Sequence, residues 1–100
     1  MKSRPIRIRE EARAEFLHEV RFYESTRKGH GKVFREAVNS TMLLVRRFPT
    51  AGALGPGGTK KAKVKGFPFT VVYRDEALGV VVFAIAADSR QEGYWLPRAQ

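Results

Sequence analysis

Nine consecutive residues, Gly79 to Ala87 (Gly-Val-Val-Val-Phe-Ala-Ile-Ala-Ala), carry no charged or hydrogen-bonding side chain. A run of that length and β-branched content suits a strand buried on both faces, and it is far too short to span a bilayer. A strand buried on both faces needs neighbours along both edges and a covering layer. In a chain of 100 residues this leaves room for one core and one ordinary domain, read as residues 1–100, and for no deep substrate cavity beside it.

The remaining elements are legible from their periods. Ile6 and Ile8 alternate with Arg7 and Arg9, the pattern of a half-buried strand. Ala12, Phe16, Val20 and Tyr23 then mark one face of a helix. Its early glutamates (Glu10, Glu11, Glu15) and late cations (Arg27, Lys28) suit the helix dipole. Gly29-His30-Gly31 breaks the pattern, with Gly29 suited to a left-handed conformation. A second helix repeats Phe34, Ala37, Val38, Thr41, Val45 and Phe48 until Pro49 stops it. So short a break makes the two helices a hairpin. Residues 50–59 read as a flexible glycine-rich loop without the strand, the Gly-Lys-Ser/Thr ending or the following helix of a phosphate loop. Lys60 to Lys65, Phe69 to Tyr73 and the apolar run read as three strands, with Arg74 to Leu78 as a turn. The expected fold is α+β, in the order β-α-α-β-β-β, a helical hairpin packed on a small antiparallel sheet.

Charge adds a direction. The formal net charge is +9, with 19 lysines and arginines against 10 acids. The excess gathers in residues 29–66, where Glu36 is the only acid. A field so placed draws polyanions or acidic protein surfaces. Lys61, Lys63 and Lys65 should stand on one face of their strand, about 7 Å apart. They are suited to an acidic partner or a phosphate backbone, or to keeping an exposed edge from aggregating. Lys32, Arg35, Asn39 and Arg46 fall opposite the apolar stripe of the second helix, the ordinary position of a solvated face. In the tail, Trp95 reads as a core residue, Arg98 as a binding residue, and Tyr94 suits either role.

The absence of cysteine excludes disulfides and thiolate metal sites and fits a reducing compartment. His18 and His30 have no neighbouring ligand set, so no metal is expected. No cofactor or small-molecule substrate is expected either. The residues from Met1 to Pro5 lead into no apolar stretch, and the chain reads as soluble and cytoplasmic, with no signal peptide.

Taken in order, several short motifs resemble the ParE branch of the RelE/ParE superfamily, the toxins of bacterial type II toxin–antitoxin pairs, often called plasmid stabilisation proteins. The motifs are the alanine-studded first helix ending in Tyr23, Gly29-x-Gly31-x-x-Phe34 opening the second helix, and Phe48-Pro49 at its end. Gly66-Phe67-Pro68-Phe69-Thr70-Val71-Val72-Tyr73 follows, then Ala84-Ile85-Ala86 leading to Arg90-x-x-Gly93-Tyr94-Trp95 and Arg98. The resemblance implies a protein neutralised by a cognate antitoxin and directed at DNA gyrase. The ribosome-dependent messenger RNA endoribonucleases of the RelE branch need arginines at positions that here hold Thr70 and Asp88. Of their catalytic set, Tyr94 and the lysine strand match. An RNase reading would therefore rest on Lys61, Lys63, Arg90 and Tyr94, and a non-toxic adaptor is the third alternative. For partner binding the candidates are Lys61, Lys63, Lys65, Arg90, Tyr94 and Arg98.

Overall fold

In a computed structural model, which describes residues 3–100, the chain is α+β. Met1 and Lys2, part of the leader reading, lie outside the described residues. The elements are β1 (Ile6–Ile8), α1 (Glu10–Thr26), α2 (His30–Arg47), β2 (Ala53–Leu54), β3 (Lys60–Lys63), β4 (Phe69–Glu76) and β5 (Gly79–Ala87). Short 3-10 turns lie at Pro56–Gly58 and Leu96–Ala99. The sheet order is β1-β5-β4-β3-β2. The apolar run is β5, flanked by β1 and β4, and every residue from Gly79 to Ala86 is buried.

Several boundaries differ from the expectation. The sheet is mixed, because β1 runs parallel to β5 while the other pairs are antiparallel. The meander of β3, β4 and β5 leaves one edge of β5 free, and the first strand fills it before the chain departs into the helices. Arg74, Asp75 and Glu76 extend β4 instead of turning, and the connection to β5 narrows to Ala77 and Leu78. Residues 50–59 are not wholly loop, since Ala53 and Leu54 pair with Lys61 and Lys60. Strand β3 ends at Lys63, which leaves Lys65 beyond it. Helix α1 ends at Thr26, so Arg27 and Lys28 belong to the connection and no cation occupies the last turn.

The helices meet closely. Gly29 is left-handed, with φ 85°, and stands at the N-cap of α2 rather than closing α1. The Glu24 carboxylate of α1 accepts the Gly29 and Gly31 N–H groups at 3.0 and 3.1 Å, satisfying free donors of α2. A Cβ at Gly31 would lie 2.6 Å from the Val20 carbonyl oxygen, so only glycine allows this approach.

The helices cover one face of the sheet. Between them and the strands, Phe34 meets Phe16, Tyr23, Phe67 and Phe69, with ring centroids 5.0–6.2 Å away. The other face is covered by the tail, where Trp95 (2% exposed) packs with Val72, Ala84 and Ala86. This agrees with the core role expected for it.

A β-bulge in β5 distributes the apolar run between the two faces. Val72 pairs with Ala84 and Tyr73 with Val82, so Phe83 is the extra residue. Before it, Val80 and Val82 face the helices; after it, Ile85 and Ala87 do. Val81 and Phe83, then Ala84 and Ala86, face the tail side.

Candidate functional site

The tail side of the sheet gathers most of the residues singled out from the sequence. Lys61 and Lys63 lie in register with Val72 and Thr70 of β4 and point to the same side as Trp95. A cleft of about 240 Å³ opens there, lined by Lys61, Thr70, Asp88, Arg90, Glu92 and Tyr94. The Arg90 guanidinium lies 3.8 Å from the Tyr94 ring centroid, a cation–π contact. Lys65 is exposed beyond the strand and stands outside the cleft. On α2, Lys32, Arg35 and Asn39 are exposed as expected, whereas Arg46 turns inward and donates to the Arg4 carbonyl at 3.0 Å.

The two lysines of β3 on this side already have anions. Lys61 pairs with Glu92 at 2.8 Å, and Lys63 pairs with Asp88. Thr70 donates to the other Asp88 oxygen at 2.9 Å. Burial pushes the Asp88 carboxyl up, but hydrogen bonds from Lys63 and Thr70 and the charges of Lys63 and Lys61 outweigh it and hold the group below its ordinary value. A carboxylate depressed in the folded state contributes stability that is present above the unfolded value and lost as pH falls through the folded one. Water screens this half-open pair, so Asp88→Asn is expected to cost only about 0.5 kcal/mol at pH 7. That difference should shrink in urea melts as pH falls below the ordinary range of carboxylates toward about pH 2. A loss that persisted there would place the Asp88 contribution in something other than its charge.

Tyr94 and Arg98 meet a residue to which the sequence reading gives only a helix-dipole role. Glu15 of α1 accepts the Tyr94 hydroxyl at 2.7 Å and pairs with Arg98 at 3.1 Å. It also accepts the Ile85 N–H at 3.1 Å, and Arg98 donates to the Phe83 carbonyl at 3.0 Å. The signal for Glu15 lies in its spacing: it stands three residues after Ala12 and next to Phe16, on the border of the buried stripe. Strand β1 ends opposite Val82, so the β5 edge beyond it has no strand partner. The bulge turns Phe83 and Ile85 toward that open edge, and Glu15 and Arg98 supply the missing acceptor and donor. Arg98 therefore seals the sheet, with its side chain 19% exposed. Burial, then the hydrogen bond and charge of Glu15, raise the Tyr94 phenol well above its ordinary value. The hydroxyl is committed as a donor to Glu15 and is poorly suited to act as a base.

A second concave surface lies on the helix side. A groove of about 370 Å³ runs between the last turn of α2 and β3, lined by Leu44, Phe48, Ala62 and Tyr73 and also by Lys61 and Lys63 among others. Leu44 is 60% exposed and Phe48 47%. Leu54, at the tip of β2 nearby, is more exposed still. Contiguous apolar surface of this kind marks interaction sites.

Among the described residues, no group of three or more histidines and acids is placed to hold a metal ion. Among the same residues, no helix is long and apolar enough to cross a membrane. The chain matches no protein-family model and no curated protein.

Proposed function

We propose that this chain is the toxin component of a type II toxin–antitoxin pair, of the ParE kind. On this reading it acts by binding DNA gyrase rather than by cutting RNA, and a cognate antitoxin silences it. The ordered motif set from Tyr23 to Arg98 supports the family, and the basic middle third supports an acidic macromolecular partner. The observation that carries the choice of mechanism is the Tyr94 hydroxyl, which donates to Glu15 at 2.7 Å. A phenol whose proton is directed at a carboxylate is poorly placed to take a proton from a ribose hydroxyl. Thr70 and Asp88 stand where the RelE-type nucleases use arginine, and an Asp88 carboxylate would repel the phosphate.

One observation favours the second reading, an endoribonuclease: Lys61, Arg90 and Tyr94 do line one cleft. Two assays on the purified protein separate the two. Inhibition of gyrase supercoiling at a modest excess of protein, with translated messages left intact in primer extension, is the expected result. Cleavage that disappears in Tyr94→Phe, or gyrase that is unaffected at high excess, overturns it. Normal growth on expression without a partner would favour the non-toxic adaptor.

A further inference from the structure

Ion pairing redistributes the charge of the basic middle third. Lys61 and Lys63 are matched by Glu92 and Asp88. Among the described residues, Arg27, Lys28, Lys32 and Lys65 form no ion pair, and all four are exposed. The fold brings them to one end of the molecule. Arg27 and Lys28 connect α1 to α2, Lys32 lies in the first turn of α2, and Lys65 lies in the connection between β3 and β4. The Phe67 ring of that connection packs onto the helical tip, with its centroid 5.1 Å from that of Tyr23 and 5.6 Å from that of His30.

Few acids stand near these cations. Residues 25–35 and 60–74 contain no aspartate or glutamate. Glu24 is engaged by the N–H groups of Gly29 and Gly31, and Asp88 by Lys63 and Thr70. Glu36, one turn beyond Lys32, is the only acid in residues 29–66 and can offset one of the four charges. The backbone between the cations is bare. Gly29 and Gly66 take φ of 85° and 84°, and a Cβ at either would meet nothing within 4 Å. A second surface can therefore come close to both connections. None of the four cations lines the groove at Leu44 or the cleft at Tyr94, so their charge is not arranged around a pocket for a partner side chain.

Unspent cations on bare connections suit the closely spaced anions of a polymer better than a single acidic side chain. The phosphates of duplex DNA supply about one charge per 1.7 Å of axis. We propose that the helical tip and the β3–β4 connection together grip the phosphate backbone of duplex DNA without reading its sequence. Arg27, Lys28, Lys32 and Lys65 each neutralise a phosphate and release its counterion. The first backbone donors of α2 take no part, because Glu24 already occupies them. This contact needs only a polyanion and does not depend on gyrase being the target.

The full chain is titrated into a labelled duplex of about 16 base pairs at several salt concentrations and followed by fluorescence anisotropy. Affinity should fall steeply with salt, with a log–log slope of about −3 to −4 for four phosphates. Lys28→Glu combined with Lys65→Glu should weaken binding at least about tenfold and make the slope shallower by about 2. Arg7→Glu combined with Arg47→Glu changes the net charge equally, at exposed positions beside the start of β5 and at the end of α2. That control should weaken binding by less than about threefold, because its charges lie away from the grip and are screened. Equal losses in the two variants would reduce binding to net charge and overturn the proposal. So would a single-stranded oligonucleotide held as tightly as the duplex, or polyglutamate of the same charge that displaces it. A chain that inhibits gyrase yet leaves the duplex free loses this contact and keeps the proposed function. One that holds the duplex at the tip yet spares gyrase does the reverse.

Discussion

Glu15→Ala is expected to lower the midpoint of thermal unfolding by roughly 15 °C, from a loss of about 3 kcal/mol in a domain of this size. The magnitude follows from what one carboxylate holds. It accepts the Ile85 N–H, the Tyr94 hydroxyl and the Arg98 guanidinium, and both charged partners are about four-fifths buried. Truncation leaves a cation without its anion and a backbone donor without an acceptor, both shielded from water, which costs far more than losing an exposed ion pair. Glu15→Gln keeps the shape and part of the acceptor capacity, and should lose about half as much. Tyr94→Phe removes one hydrogen bond and should cost about 1 kcal/mol. Because the pair is enclosed, the Glu15→Ala deficit should change little between low and high salt. Urea melts and calorimetry check the series. A Glu15→Ala protein as stable as the parent would remove Glu15 as the link between α1, the tail and the open edge of β5.

Phe34→Ala is expected to cost about 3–5 kcal/mol, a large share of the 5–15 kcal/mol available to an ordinary domain. Phe34 is fully buried and stands at the centre of the aromatic cluster that joins α1, α2 and the segment entering β4. Removing the ring leaves a cavity between two layers. The close approach of the helices at Gly31 leaves them little freedom to move in and fill it. The near-ultraviolet circular dichroism of the aromatic cluster should collapse well below the melting temperature of the parent. Phe34→Leu retains much of the volume and should lose about half as much. A Phe34→Ala protein within 1 kcal/mol of the parent, about the cost of a single hydrogen bond, would show that the cluster is not the seat of the core.

Both variants bear on how much of the fold is legible in the sequence. Phe34 is legible from the sequence, because it begins the apolar stripe of α2 at helical spacing, and burial follows from period alone. Strand β5 is legible for the same kind of reason, as nine residues without a charge have nowhere to go except between other strands. Trp95 is likewise placed in the core by its size. The lysines of β3 are placed on one face by alternation. Their partners Asp88 and Glu92 are not, since the pairs span 25 and 31 residues and depend on where the tail returns. Glu15 and Arg98 escape for the same reason. Their tasks are set by a bulge at Phe83 and by a first strand that stops at Ile8, neither of which leaves a periodic trace.

The sequence by itself therefore determined the two helices, four of the five strands and the α+β class, because these depend on residue spacings along the chain of two and of three to four. The basic middle third was also a property of the sequence alone. Only the tertiary structure decided that β1 runs parallel to β5 and that the tail acids meet the lysines of β3. It also decided that Tyr94 is committed to Glu15. Those outcomes depend on which distant segments share an edge, and a residue's period carries no information about its partner across the sheet.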